Sequence, residues 1–187
     1  IAAGLMEHAL HQKRLAKIPI RILVNGTRGK TSVSKILVAA LNQNGVRTVG
    51  RTTGSEASMI MPDGTIVPIQ RRSYARITEM LPFVRRCSEE NLACIVVECM
   101  ALGAENQHVF SDVLLKPTHI AITNSYVDHM VEIGATEEET VWTLSRCLHR
   151  GSEVFCAEDA YAGYCEQAGS TFHRVVVRDY ESGKIES

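Results

Sequence analysis

The stretch Asn25-Gly26-Thr27-Arg28-Gly29-Lys30-Thr31-Ser32 limits what this chain can fold into more than any other. Before it runs Ile20-Arg21-Ile22-Leu23-Val24, an apolar strand pattern. After it Val33, Ile36, Leu37, Ala40 and Leu41 fall on one helical face, and Asn44-Gly45 supplies a stop. A buried strand, a glycine-rich turn and a helix in that order begin a βαβ unit. The expected fold is therefore α/β, of P-loop type: a mostly parallel sheet with helices on both faces.

The rest of the chain keeps the alternation. Thr48-Val49 reads as a second short strand, and Ser58 to Ile69 as two short runs around an Asp63-Gly64 hairpin signal. Ile77, Met80, Leu81 and Val84 mark a helical face that Pro82 should kink or interrupt. Ala93 to Glu98 is a near-continuous apolar strand, followed by a weakly marked helix over Glu105 to Leu115 and a strand over His119 to Thr123. Thr136-Glu137-Glu138-Glu139 is a capping box opening a helix that ends near Arg146 to Gly151. Glu153 to Ala157 and Thr171 to Val177 read as strands, with a helix from about Asp159 to Ala168 between them.

Composition narrows the function classes. With 187 residues, 45% of them hydrophobic and 22% charged, the chain can build a core without metal or disulfide staples. A net charge of −1 argues against nucleic acid as a partner. No apolar run approaches the roughly 18 residues a membrane span needs. The six cysteines form no C-x-x-C pair, and several sit inside apolar runs such as Ala93-Cys94-Ile95-Val96-Val97, so buried reduced thiols are expected. Residues 1–17 read as a helix with a basic end, His11-Gln12-Lys13-Arg14-Leu15-Ala16-Lys17. Two readings of it stand: a solvated helix end, or a juxtamembrane segment following an anchor that lies before Ile1.

Three polar clusters fall at the carboxyl ends of predicted strands, where open parallel sheets bind ligands. In the first, glycines let backbone N–H groups turn toward an anion and the helix N-terminus adds partial positive charge. Lys30 can reach β- and γ-phosphates, and the Thr31 hydroxyl can ligate Mg²⁺. The common loop is G-x-x-x-x-G-K-[ST]; here its first glycine position holds Val24, so this is a shorter G-x-x-G-K-T variant. The second cluster is Glu98, either a metal ligand beside bound phosphates or a solvent-facing strand-end carboxylate. The third is Thr123-Asn124-Ser125-Tyr126-Val127-Asp128-His129, in which His129 could ligate metal and Asp128 orient it, or which is a surface loop.

Together these segments resemble the ATP-binding central domain of Mur-type amide ligases, which share a short G-T-x-G-K-[TS] loop with the folylpolyglutamate synthases. Within that group the chain is most similar to the ligase subunit of poly-γ-glutamate synthases, the PgsB/CapB type. Val24-Asn25-Gly26-Thr27-Arg28-Gly29-Lys30, Arg51-Thr52-Thr53-Gly54, Val97-Glu98-Cys99-Met100-Ala101 and Asp128-His129-Met130 carry that likeness in order. The resemblance implies ATP and Mg²⁺ as cofactors and ADP-forming activation of a carboxylate as an acyl phosphate, which glutamate's amino group then attacks. Lys30, Glu98 and His129 become the catalytic set. Asn25, Gly26, Thr27, Arg28, Gly29, Lys30, Thr31, Ser32, Thr53 and Asn124 become the nucleotide site, with Asn124 orienting the metal shell. Thr31, Glu98 and His129 become the metal ligands.

The implied partners are glutamate or a poly-γ-glutamate chain and the membrane subunits of a synthase, at the cytoplasmic face of the membrane; a homo-oligomer stays open. Two alternatives remain: a Mur ligase acting on a cell-wall precursor, and a non-catalytic nucleotide-binding subunit of a membrane assembly. The expected division is residues 1–17 as the basic helix and 18–187 as the ATP-binding domain, with the ligase's C-terminal domain outside the sequence. Many Mur ligases also carry a carbamylated lysine after the D-H motif. Here no lysine lies between Lys116 and Lys184.

Overall fold

The computed structural model describes residues 2–53, 56–71, 75–128 and 130–176. Its first strand, β1 (Ile20–Asn25), lies between β5 (Cys94–Glu98) and β6 (His119–Ile122), parallel to both. The sheet extends on one side through β2 (Thr48–Arg51) and on the other through β7 (Glu153–Cys156) and β8 (Thr171–Arg174), all parallel. An antiparallel hairpin, β3 (Ser58–Ile60) and β4 (Ile66–Pro68), closes the β2 edge. Among the described residues the order is β4-β3-β2-β5-β1-β6-β7-β8.

The chain leaves β1 toward β2 and leaves β5 toward β6 in opposite directions across the sheet. Right-handed crossovers then place the connecting helices on opposite faces. Helix α2 (Lys30–Gln43) covers one face, where Val24, Cys94 and Val96 meet Val38, Val33, Leu37 and Leu41. The other face is covered by α3 (Met80–Glu89), α4 (Ala104–Val109) with the π-type turn Phe110–Leu115 that continues it, α5 (Glu137–Ser145) and α6 (Ala162–Ala168). Its core includes Leu23, Ile95, Val97, Phe110, Ile120, Leu144 and Val154. Alternate residues of each central strand thus feed opposite cores, which is why those strands read as unbroken apolar runs.

Helix α1 (Ala2–Leu15) packs on α3 and belongs to the same body. Its Leu15 and the following Ile18 are core residues, and His11, 1% exposed, bonds the Leu114 carbonyl through Nε2 at 2.8 Å. Lys13 and Lys17 stay exposed. All six cysteines are buried and unpaired, as expected.

Several local expectations need correction. The buried face of α2 is Val33, Ser34, Leu37, Val38 and Leu41, while Ile36 is 67% exposed and Ala40 is also exposed. The helix is rotated because Val38 settles on Gly50 of β2, where an added Cβ would lie 2.6 Å from Val38 Cγ2. The expected helical face is interrupted, with a 3-10 turn over Ile77–Glu79 before α3, although Pro82 does not kink α3 itself. It occupies the third position of that helix, inside the first turn, where no intrahelical N–H is required. The helix opened by Thr136 ends at Ser145 and passes into tighter turns in which Arg146, Cys147 and Leu148 each bond three residues back. Strand β8 ends at Arg174, and Val177 lies outside the described residues.

Candidate active site

The phosphate-type loop leaves β1 at the point where strand connections diverge, the place where open α/β sheets form a crevice. Gly26 has φ +124°, and an added Cβ would meet Thr123 Oγ1 at 2.2 Å and the Asn124 carbonyl at 2.9 Å. Gly29 has φ +81° and directly precedes α2, so the helix begins with free backbone N–H groups and without a side-chain cap.

Asn124 shapes this loop. Its Oδ1 accepts from Thr27 Oγ1 at 2.7 Å and from the Arg28 N–H at 3.1 Å, and its Nδ2 donates to the Arg28 carbonyl at 3.0 Å. Thr123 Oγ1 donates to the same carbonyl at 2.7 Å, and the Asn124 carbonyl accepts from the Thr27 N–H at 3.1 Å. The Asn124 side chain therefore touches the loop, and the described contacts link it to no metal-ligand candidate. The Arg28 guanidinium is exposed and lies 3.4 Å from Asp128.

Lys30 opens α2 and folds back over the loop, with Nζ donating to the Gly26 carbonyl at 2.6 Å and to the Thr27 carbonyl at 3.1 Å. Thr31 follows, and its Oγ1 donates to the Glu98 carboxylate at 3.0 and 3.2 Å. Glu98 ends β5, is only 3% exposed, and also accepts from the Thr53 N–H at 2.9 Å. Residues from three separate strand ends thus converge on one buried carboxylate. Thr53 contributes through its backbone. Ser32 is exposed in the first turn of α2.

Asn25 has a different placement. Its buried side chain donates to Gln107 Oε1 at 2.8 Å, Gln107 Nε2 donates to the Ala101 carbonyl at 2.8 Å, and the Cys99 thiol lies 3.4 Å from the same Gln107 oxygen. That network ties the end of β1 to the segment after β5. Nothing near Gln107 in sequence announces it, since Asn25 stands 82 residues away. Burial pushes the Cys99 thiol up to about 12, so it stays protonated and acts as a weak donor. His129 lies outside the described residues.

The donor set suits a hard cation. Thr31 Oγ1 and the Glu98 carboxylate are oxygen donors within hydrogen-bond reach of each other, and they would hold a hard divalent cation if one were bound. Among the described residues no group of three or more His, Cys, Asp and Glu side chains gathers at one point. Mg²⁺ takes hard oxygen donors of this kind beside water and phosphate oxygens. A cleft of about 890 Å³ opens beside these groups, lined in part by Thr31, Lys35, Thr52, Ser58 and Arg71.

Solved structures of similar fold include folylpolyglutamate synthases. A bifunctional folylpolyglutamate synthase/dihydrofolate synthase from Yersinia pestis, complexed with AMPPNP and Mn ion, matches with a TM-score of 0.70 at 15% identity, over 90% of this chain and 45% of its own. The E. coli FolC structure in complex with ADP matches with a TM-score of 0.70 at 15% identity, over 91% of this chain and 46% of that one. At such identity the likeness is one of fold, and it bears out the expected Mur-ligase-like α/β architecture. In sequence the chain is 30% identical over 182 residues to the PGA synthase CapB of Bacillus subtilis, covering 96% of this chain and 46% of the relative. It is 30% identical over 183 residues to the capsule biosynthesis protein CapB of Bacillus anthracis, covering 96% and 39%. These matches bear out the resemblance to the PgsB/CapB type. The chain spans less than half the length of these curated relatives. No protein-family model matches it.

Proposed function

We propose that this chain is the nucleotide-binding portion of an ATP-dependent, ADP-forming amide ligase that extends a poly-γ-glutamate chain. The observation that carries the reading is the buried Glu98 carboxylate, held by Thr31 and Thr53 beside a glycine loop with Lys30 folded over it. The likeness to the two CapB proteins supports the choice of glutamate over a cell-wall precursor.

In this reading the Gly26–Thr31 loop and the first turn of α2 bind the phosphates of ATP. Lys30 moves from the loop carbonyls onto the phosphates and neutralises charge on the transferring phosphoryl group. Thr31 and Glu98, with His129 on the strength of the resemblance, hold Mg²⁺, which supplies further charge neutralisation when bound. A chain carboxylate takes the γ-phosphoryl group to give an acyl phosphate and ADP. The amino group of glutamate then displaces phosphate and leaves an amide. Asn124 keeps the loop in its binding shape.

We place the enzyme beside membrane subunits at the cytoplasmic face. The support is α1, which exposes Leu5, Met6 and Leu10 together with Lys13. No helix among the described residues is long and apolar enough to cross a membrane. The test is ADP release by the full-length enzyme with and without glutamate. Release should depend on glutamate and vanish in Lys30→Ala with the fold intact. Release at the wild-type rate in that variant refutes the loop's role.

A further inference from the structure

A second cavity, of about 400 Å³, lies on the α3 side of β2 and shares Ile69 and Arg71 with the cleft beside Thr31. Arg51, the last residue of β2, stands two positions before Thr53, whose N–H binds Glu98. The Arg51 side chain is 4% exposed, and its guanidinium sits over the Phe83 ring at 5.6 Å from the centroid. Arg51 and Arg71 converge on one carboxylate, Glu79: Arg51 pairs with it and Arg71 Nε lies 3.2 Å away. The Arg76 N–H also donates to Glu79 at 3.1 Å.

Two guanidiniums on one carboxylate leave an excess positive charge in a mostly buried place. The hydrogen bonding is also incomplete: Arg51 Nε and one terminal nitrogen of Arg71 are buried without a partner. Unpaired donors on buried cations are costly, and a binding site for an anionic acceptor accounts for them. Arg86 adds a third guanidinium at the cavity, held at 3.0 Å by Glu90. Met59, Ile69, Pro82 and Phe83 supply apolar wall, and Gln70 adds a polar amide. Arg71 lines this cavity and the cleft beside Thr31 alike, so the two spaces share one wall.

We infer that this arginine cavity binds the carboxylate-bearing chain whose end is activated at the Glu98 site, its side carboxylates on Arg51, Arg71 and Arg86 and its methylene stems on Phe83 and its neighbours. The inference rests on the ligase reading above and names the residues that hold that ligase's polymeric substrate. A γ-linked glutamate chain has the required chemistry, an aliphatic backbone with a carboxylate at each unit. The planar fork of arginine suits bidentate recognition of each.

The experiment is calorimetric titration of the full-length enzyme with synthetic γ-linked tetraglutamate, with AMPPNP and Mg²⁺ present. Arg71→Gln should raise its Kd at least 10-fold, and Arg86→Gln about 3-fold. AMPPNP affinity in Arg86→Gln should stay within 2-fold of wild type. Arg86 is at the rim, so its variant reports on the cavity even if changes at Arg71 disturb packing. Unchanged tetraglutamate affinity in both variants overturns the inference. So does competition by glutamate monomer or inorganic phosphate at the same concentration as the tetramer, which would make the cavity a general anion site. An equal loss of AMPPNP and tetraglutamate affinity in Arg86→Gln also overturns it. Failure of the ligase reading looks different: glutamate-dependent ADP release is then absent in the wild type, whatever the cavity binds.

Discussion

Replacing Asn124 with alanine removes contacts that lie entirely on the phosphate loop. The side chain accepts from Thr27 Oγ1 and the Arg28 N–H and donates to the Arg28 carbonyl. A hydrogen bond is worth about 1 kcal/mol net, which sets a ceiling of about 3 kcal/mol. The site is partly open to water, so solvent takes over some of that role, and about 1.5 kcal/mol is the working figure. A loop that must be reordered before it can bind loses that amount of affinity, or about 10-fold in Kd. The assay is equilibrium binding of a fluorescent ATP analogue in the presence of Mg²⁺, with circular dichroism to check the fold. Asn124→Asp keeps the accepting oxygen but loses the donor and adds a negative charge near the phosphates, so it should bind more weakly than the alanine variant. Binding of Asn124→Ala within 2-fold of wild type would refute the claim that this side chain holds the loop.

Gly26→Ala should cost roughly 2–5 kcal/mol of stability by urea unfolding. It combines a strained φ of +124° with a Cβ placed 2.2 Å from Thr123 Oγ1; a loss below about 1 kcal/mol would contradict that geometry. Glu98→Gln and His129→Ala should each weaken Mg²⁺-dependent nucleotide binding, and the double variant should lose less than the sum. Simple additivity would mean the two do not serve a common ion. Burial lowers the pKa of His11, against the raising effect of the Leu114 carbonyl. The unfolded chain therefore takes up this proton first, near its usual pKa of about 6.5, and stability contributed by neutral His11 is lost as pH falls below that. Urea midpoints at pH 7.5 and 5.5 should differ less in His11→Gln than in wild type, and equal differences would refute this. Because α5 carries no lysine to form a carbamate, the ligase activity proposed for the full-length enzyme should be indifferent to removal of bicarbonate. Activity that falls on stripping CO₂ and recovers on its return would show that another lysine fills that role.

The sequence is most readable where local pattern and tertiary environment agree. β1 and β5 are buried on both faces, so their apolar runs stand out, and a glycine turn before a helix can be read from neighbouring residues. The burial of Cys94 follows from the β5 run, whereas Cys87 and Cys165 are buried by the packing of α3 and α6. What was hidden depends on residues far apart. The rotation of α2 is set by Gly50, whose missing side chain admits Val38 and turns Ile36 toward solvent. The Asn25–Gln107 bond joins segments that share no motif, so Asn25 reads as a loop residue although its side chain turns inward. Asn124 carries no local sign that its amide grips Thr27 and Arg28, about a hundred residues away. The cluster of Arg51, Arg71 and Glu79 is likewise assembled by β2, the segment after β4 and the turn before α3, and its pairing is invisible before those elements are docked.

The proposed ligase reaction requires that a carboxylate be phosphorylated at this site. The direct measurement is trapping with hydroxylamine during turnover of the full-length enzyme with ATP, Mg²⁺ and a γ-linked glutamate oligomer. The expected result is a hydroxamate of the oligomer formed in step with ADP, and neither product in Lys30→Ala. Release of AMP and pyrophosphate, or ADP without hydroxamate, would contradict it.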